Sequence, residues 1–96
     1  MRLIVIFKDK PAMMAHRAIY EEQHLAYLES NHTEISIGGG LREEVGGIFV
    51  GGLWVLEVDS FERANELVMN DPYYDPALRE FDILVWGKAG NRAAVL

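Results

Sequence analysis

Apolar residues gather in four short runs, and two longer stretches with helical spacing lie between them. Residues 2–8 form the first run: Leu3, Val5 and Phe7 share one parity, Ile4 and Ile6 the other. Val and Ile at this density predict a strand. Lys10-Pro11 ends it, because proline has no N–H to give to a ladder. Residues 12–31 predict a helix. The stretch has no Gly or Pro, and Ile19 is its one β-branched residue. At about 100° per residue, Tyr20, His24, Tyr27 and Leu28 fall on one arc, extended by Met14 and Leu25. Ala15, Glu22, Ala26 and Glu29 lie opposite, and Asn31 is a stop signal.

Residues 34–42 suit a second strand through Ile35, Ile37 and Leu41, interrupted by Gly38-Gly39-Gly40. Gly46-Gly47 then marks a hairpin, since both glycines can supply positive φ. Residues 48–58 predict the third and longest strand, where Gly51-Gly52 signals a bulge or a close backbone approach. Asp59-Ser60 opens a second helix. Either residue can cap it, and Glu62, three residues after Asp59, has capping-box spacing. Phe61, Ala64, Leu67 and Val68 form its expected buried stripe, and Asn70-Asp71-Pro72 ends it. Residues 80–87 predict a last strand, with Phe81, Ile83 and Val85 on one face and Leu84 and Trp86 on the other.

This β-α-β-β-α-β order predicts an α+β, ferredoxin-like domain: one antiparallel sheet with both helices on one face. The open face of such a sheet should be polar. Here the first, third and last strands are apolar on both faces: Trp54, Leu56 and Val58 in the third, for instance, stand opposite Leu53 and Val55. The chain has no further element large enough to cover the second face. A second copy of the sheet is the expected cover, making a homodimer. A ligand cleft without a partner is the alternative.

Composition narrows the partners and the chemistry. With 96 residues the chain is expected to form one domain, residues 88–96 being a weakly patterned tail. Net charge is −6 and no Lys/Arg stripe offsets it, which argues against nucleic acid. The absence of cysteine excludes disulfides, iron–sulfur clusters, thiolate zinc sites and cysteine nucleophiles. The opening apolar run is too short for a signal peptide, and no segment reaches the roughly 18–20 apolar residues of a membrane span. A cytoplasmic protein is expected.

His24 is the leading candidate for chemistry. It lies within the apolar arc of the first helix, as either a core histidine with one hydrogen bond or a general base. His16 and His32 each lie eight residues away, about 12 Å along the helix. The three cannot share an ion, so no metal site and no cofactor are expected. Asp71 follows the second helix, where a carboxylate opposes the dipole. It is either a turn residue or the group that orients a histidine ring. Gly38-Gly39-Gly40 lacks the Lys-Ser/Thr of a phosphate loop; Gly39 and Gly40 suit a sheet twist or close approach to a small ligand. Arg17, seven residues before His24, is either a solvated or paired arginine or a substrate clamp.

Several segments together resemble the YciI-like (YCII-related) family. They are L-I-V-I-F-K-D-K-P at residues 3–11, E-Q-H-L-A-Y-L around His24, D-S-F-E-R-A at residues 59–64, and N-D-P-Y at residues 70–73. The final strand through Trp86 also fits. In place of the family's Gly-Pro pair after the second strand, this chain has Gly39-Gly40-Leu41. The resemblance implies a ferredoxin-like fold pairing into a dimeric α/β barrel, with a histidine–aspartate pair in a pocket between helices and sheet. His24 and Asp71 occupy the matching positions. Related dimeric barrels include muconolactone isomerases, a dehydrochlorinase of a chlorinated hydroxyquinol and cofactor-free monooxygenases. The expectation is therefore an isomerase or lyase acting on a small cyclic or aromatic molecule. His24 would be the base and Asp71 its orienting partner, with Arg17, Tyr20, Tyr27, Gly39, Gly40, Trp54 and Tyr73 around the substrate. The alternative is a non-catalytic small-molecule binding or regulatory module.

Overall fold

In the computed structural model, which describes all 96 residues, the elements follow the expected order. They are β1 (Arg2–Asp9), α1 (Met13–Ser30), β2 (Ile35–Arg42), β3 (Phe49–Glu57), α2 (Phe61–Met69) and β4 (Arg79–Val85). The four strands form one antiparallel sheet in the order β2-β3-β1-β4. This is a ferredoxin-like fold: β1 and β2 flank β3, and each helix carries the chain across the sheet. No helix is long and apolar enough to cross a membrane.

Register assigns the two faces. Val5 lies opposite Trp54 and Leu3 opposite Leu56, and these side chains point to the helices. Together with Phe7, Ile35, Val58, Ala64, Leu67 and Val68 they make the buried core, against which Tyr27 and Leu28 of α1 pack. The other parity forms the second face. There Ile4 pairs with Val55 and Leu84, Ile6 with Leu53, and Ile37 with Val55. Helices cover the first face, and within this chain nothing comparable covers the second: Ile37 and Leu84 are about half exposed.

The glycines act by close approach. A Cβ on Gly51 would collide with the carbonyl oxygen of Phe7 across the ladder, and one on Gly40 would strike the ring of Phe49. Gly38-Gly39-Gly40 does not interrupt β2, which runs through all three residues. The irregularities lie to either side, at Ile35/Ile37 and Leu41/Arg42. At the hairpin only Gly46 has positive φ, at 79°; Gly47 does not, so one left-handed residue closes the turn. Ser60 caps α2 by accepting from the Arg63 N–H at 3.0 Å. The expected Glu62 capping box does not form, because Arg63 occupies the third helical position and instead reaches Glu34 and Glu66. Phe61 is also outside the core: as the first helical residue it precedes the buried stripe of Ala64, Leu67 and Val68 and is 45% exposed.

Candidate functional site

His24 is one of only two buried residues on α1, and its ring is held on two sides. Nδ1 lies 2.7 Å from Asp71 Oδ1. The ring of Tyr73 stacks on the imidazole with centroids 3.7 Å apart and planes 7° apart. The turn after α2 supplies both partners. Asp71 Oδ1 also accepts from the Tyr73 N–H at 3.1 Å, so one oxygen meets both the turn backbone and the imidazole. An ionised Asp71 makes Nδ1 the donor and leaves the lone pair on Nε2. Nε2 has no partner within the chain and is not sealed, so it opens on the cavity that His24 lines.

That cavity measures about 280 Å³ and lies between α1, the glycine run of β2 and the middle of β3. Phe7, Phe49, Trp54 and Tyr73 give it flat walls. A Cβ on Gly38 would stand 3.1 Å from Trp54 Cδ1, so glycine keeps this wall low. A larger hollow of about 650 Å³ lies under the C-terminal tail, beside Arg2 and Trp86. Its lining has no histidine, aspartate or glutamate side chain, whereas the smaller cavity holds His24.

Two arginines share the cavity with His24. Asp9 ends β1 and faces Arg79 across the ladder. Arg79 Nε and Nη2 donate to its two oxygens at 2.7 and 2.9 Å. Arg17 Nη2 donates to the same carboxylate at 3.2 Å and to the carbonyl of Gly51 at 3.0 Å. The Asp9 side chain is wholly buried. The guanidiniums also stand over aromatic faces, Arg79 4.3 Å from the Phe7 centroid and Arg17 4.4 Å from that of Phe49.

Of the expected site residues, the structure brings His24, Arg17, Gly39, Gly40, Trp54 and Tyr73 to the cavity. Asp71 stands behind the imidazole. Tyr20 and Tyr27 do not line the cavity. Taken from His24 at about 100° per residue, Arg17, Leu28, Glu21 and Met14 lie some 20° to 80° to one side of the helix, toward the cavity. Tyr20 and Tyr27 lie about 40° to 60° to the other side. Tyr20 packs on His16, and the Tyr27 hydroxyl donates to the Leu67 carbonyl at 2.7 Å, joining the helices. Burial, and secondarily the Asp71 charge, raise the Tyr27 phenol above its usual pKa. Burial likewise raises Tyr73, although Arg17 opposes it. Both phenols are therefore neutral donors at physiological pH. His16 and His32 lie against the backbone carbonyls of Pro72 and Glu29.

Sequence reasoning missed Arg79, Asp9, Phe7 and Phe49. Arg79 stands just before the strand predicted at residues 80–87, where no local pattern marks it. Only the β1–β4 register brings it to Asp9.

The model of the YCII-related domain matches residues 1–87. No curated protein matches the chain. Among solved structures, 5-chloro-2-hydroxyhydroquinone dehydrochlorinase from Burkholderia phenoliruptrix AC1100, in complex with 2,5-dihydroxybenzoquinone, is similar at TM-score 0.80 and 26% identity. The match covers 93% of this chain and 96% of that one.

Proposed function

Because the chain belongs to the YCII-related family, we propose that it is a cofactor-independent isomerase or lyase acting as a homodimer on a small cyclic molecule, with His24 as its base. The observation that carries this reading is the two-sided hold on His24. Asp71 binds Nδ1, Tyr73 fixes the ring plane, and Nε2 faces a cavity. Nε2 takes a proton from a carbon or a phenolic oxygen of the substrate. Asp71 holds the tautomer and stabilises the imidazolium that forms. In an elimination, the electron pair released moves into the ring and expels an anion. In an isomerisation, the imidazolium returns the proton at another ring atom. The similar dehydrochlorinase, crystallised with a dihydroxyquinone, supports a small oxygenated ring as the substrate class. A volume of about 280 Å³, just under the usual range for ligand sites of roughly 300–1,000 Å³, suits a single ring.

The test follows two reactions. One is chloride release from 5-chloro-2-hydroxyhydroquinone. The other is deuterium incorporation from D2O into the ring of 2,5-dihydroxybenzoquinone. The wild-type protein is expected to accelerate at least one. His24→Gln should lower that rate by about 10²-fold to 10⁴-fold, the usual weight of general base catalysis, while leaving the melting temperature unchanged. Tight binding of the ring without either reaction would favour a binding module.

A further inference from the structure

The Arg17–Asp9–Arg79 cluster has more donors than the chain can use. Each guanidinium offers five N–H donors. Together the two make four hydrogen bonds, three to Asp9 and one to the Gly51 carbonyl. Arg17 Nε is sealed from solvent without a partner, and neither Nη1 makes a well-formed hydrogen bond within the chain, although Tyr73 lies close to Arg17. Side-chain exposure is 12% for Arg17, 2% for Arg79 and 0% for Asp9, and of the spare donors Arg17 Nε is sealed while the Nη1 groups stay open. One carboxylate faces two cations. A largely buried cation left with only part of a partner is unfavourable, so the cluster is suited to a further acceptor.

The other acidic groups nearby do not supply it. Asp71 is bonded to His24 and to the Tyr73 N–H, behind the imidazole and off the cavity lining. Glu21 lines the cavity but is exposed and forms no ion pair with either arginine. Both arginines, in contrast, line the same small cavity as His24.

We propose that Arg17 and Arg79 form an oxyanion subsite, so that the cyclic substrate of His24 binds as an anion. An ionised ring oxygen, either a carboxylate or an acidic enol or phenol, lies against the guanidiniums. This rests on the reading of the cavity as a substrate site and adds the charge of the substrate to it. Asp9 holds the Arg79 fork and draws in Arg17, so the donors are oriented before the ligand arrives. The same donors stabilise the charge that spreads onto that oxygen when His24 removes a proton from the ring.

The test compares two single-ring ligands of similar size by titration calorimetry at pH 7. 2,5-Dihydroxybenzoquinone carries vinylogous acid groups and is anionic; 1,4-hydroquinone is neutral. The wild-type protein is expected to bind the anion at least tenfold more tightly. Arg17→Gln should erase most of that preference while changing hydroquinone affinity less than threefold. Arg63→Gln, which removes the same charge outside the cavity, should leave both affinities unchanged. Equal affinity for the two rings in the wild-type protein, binding of neither, or an equal loss of both in Arg17→Gln overturns the subsite. The wild-type comparison stands even if Arg17→Gln fails to fold. His24→Gln separates the two proposals. If it leaves both reactions unchanged while Arg17→Gln still costs anion binding, proton transfer by His24 is wrong and the subsite stands. If His24→Gln abolishes reaction but Arg17→Gln leaves the anion preference intact, the subsite falls and the base remains.

Discussion

At the scale of single residues, the division of labour on the imidazole makes its own prediction. Asp71 bonds Nδ1, so Nδ1 should carry the proton in the neutral ring. Asp71→Asn keeps the shape and removes the charge. The variant is expected to populate both tautomers, seen by ¹⁵N–¹H correlation of the ring nitrogens, and to lower turnover by at least tenfold with little change in KM. An unchanged tautomer pattern together with unchanged turnover would refute the orienting role. Tyr73 carries a second residue-level prediction. Burial raises its phenol above the usual 10.0, and Tyr27 is raised for the same main reason. The unfolded chain therefore loses these protons first. Stability due to them is fully present below pH 10.0 and is lost as pH rises through the folded values. Ultraviolet titration should show two of the four tyrosines ionising late, and Tyr73→Phe should remove one late component.

At the scale of elements, capping and helix rotation differ in how far local sequence determines them. The N-cap depends on neighbours in sequence, and Ser60 was legible as one of two candidates. Its hydroxyl accepts from the Arg63 N–H. Ser60→Ala is expected to lower stability by about 1 kcal/mol in urea denaturation, through loss of one cap hydrogen bond. A change below about 0.3 kcal/mol would show that the cap is replaced by water. The apolar arc of α1 located His24 correctly but not the direction of the cavity. Hydrophobicity cannot separate a tyrosine packed against α2 from one facing a ligand. Tyr20 and Tyr27 share the arc with His24, yet packing on His16 and Leu67 turns them from the cavity. Arg17 and Glu21, polar and outside any apolar count, lie on the side that faces it.

At the scale of the whole molecule, the second sheet face is the main unfinished surface. Ile4, Ile6, Ile37, Leu53, Val55 and Leu84 share it, with Arg2, Lys8, Glu57 and Asp82 among them. A second copy packed on this face is the proposed cover. Leu84 is half exposed in the single chain, so Leu84→Lys costs the isolated fold little but places a charge in the proposed interface. It should give a folded monomer by light scattering, with a lower melting temperature that no longer depends on protein concentration. Trp54→Lys acts on the opposite face. Trp54 is in the core at 2% exposure, and the variant is expected to unfold the chain. A monomeric wild-type protein at micromolar concentration would overturn the dimer proposal.

Period-two and helical apolar patterns determined the order of strands and helices and the two-faced character of the sheet, because side-chain direction follows from local geometry alone. They also placed His24 on the inner side of α1; Asp71, before Pro72, stood as either a turn residue or a ring-orienting carboxylate. The meeting of His24 with Asp71 spans 47 positions, and that of Arg79 with Asp9 spans 70. The first was reachable through family resemblance; no local pattern marks either. Long-range pairing depends on strand register and on how each helix is rotated over the sheet, and packing of the whole core sets both. Tertiary structure alone therefore decided that a strand-start arginine and a helical arginine, both bonded to a buried strand-end aspartate, share a cavity with the imidazole.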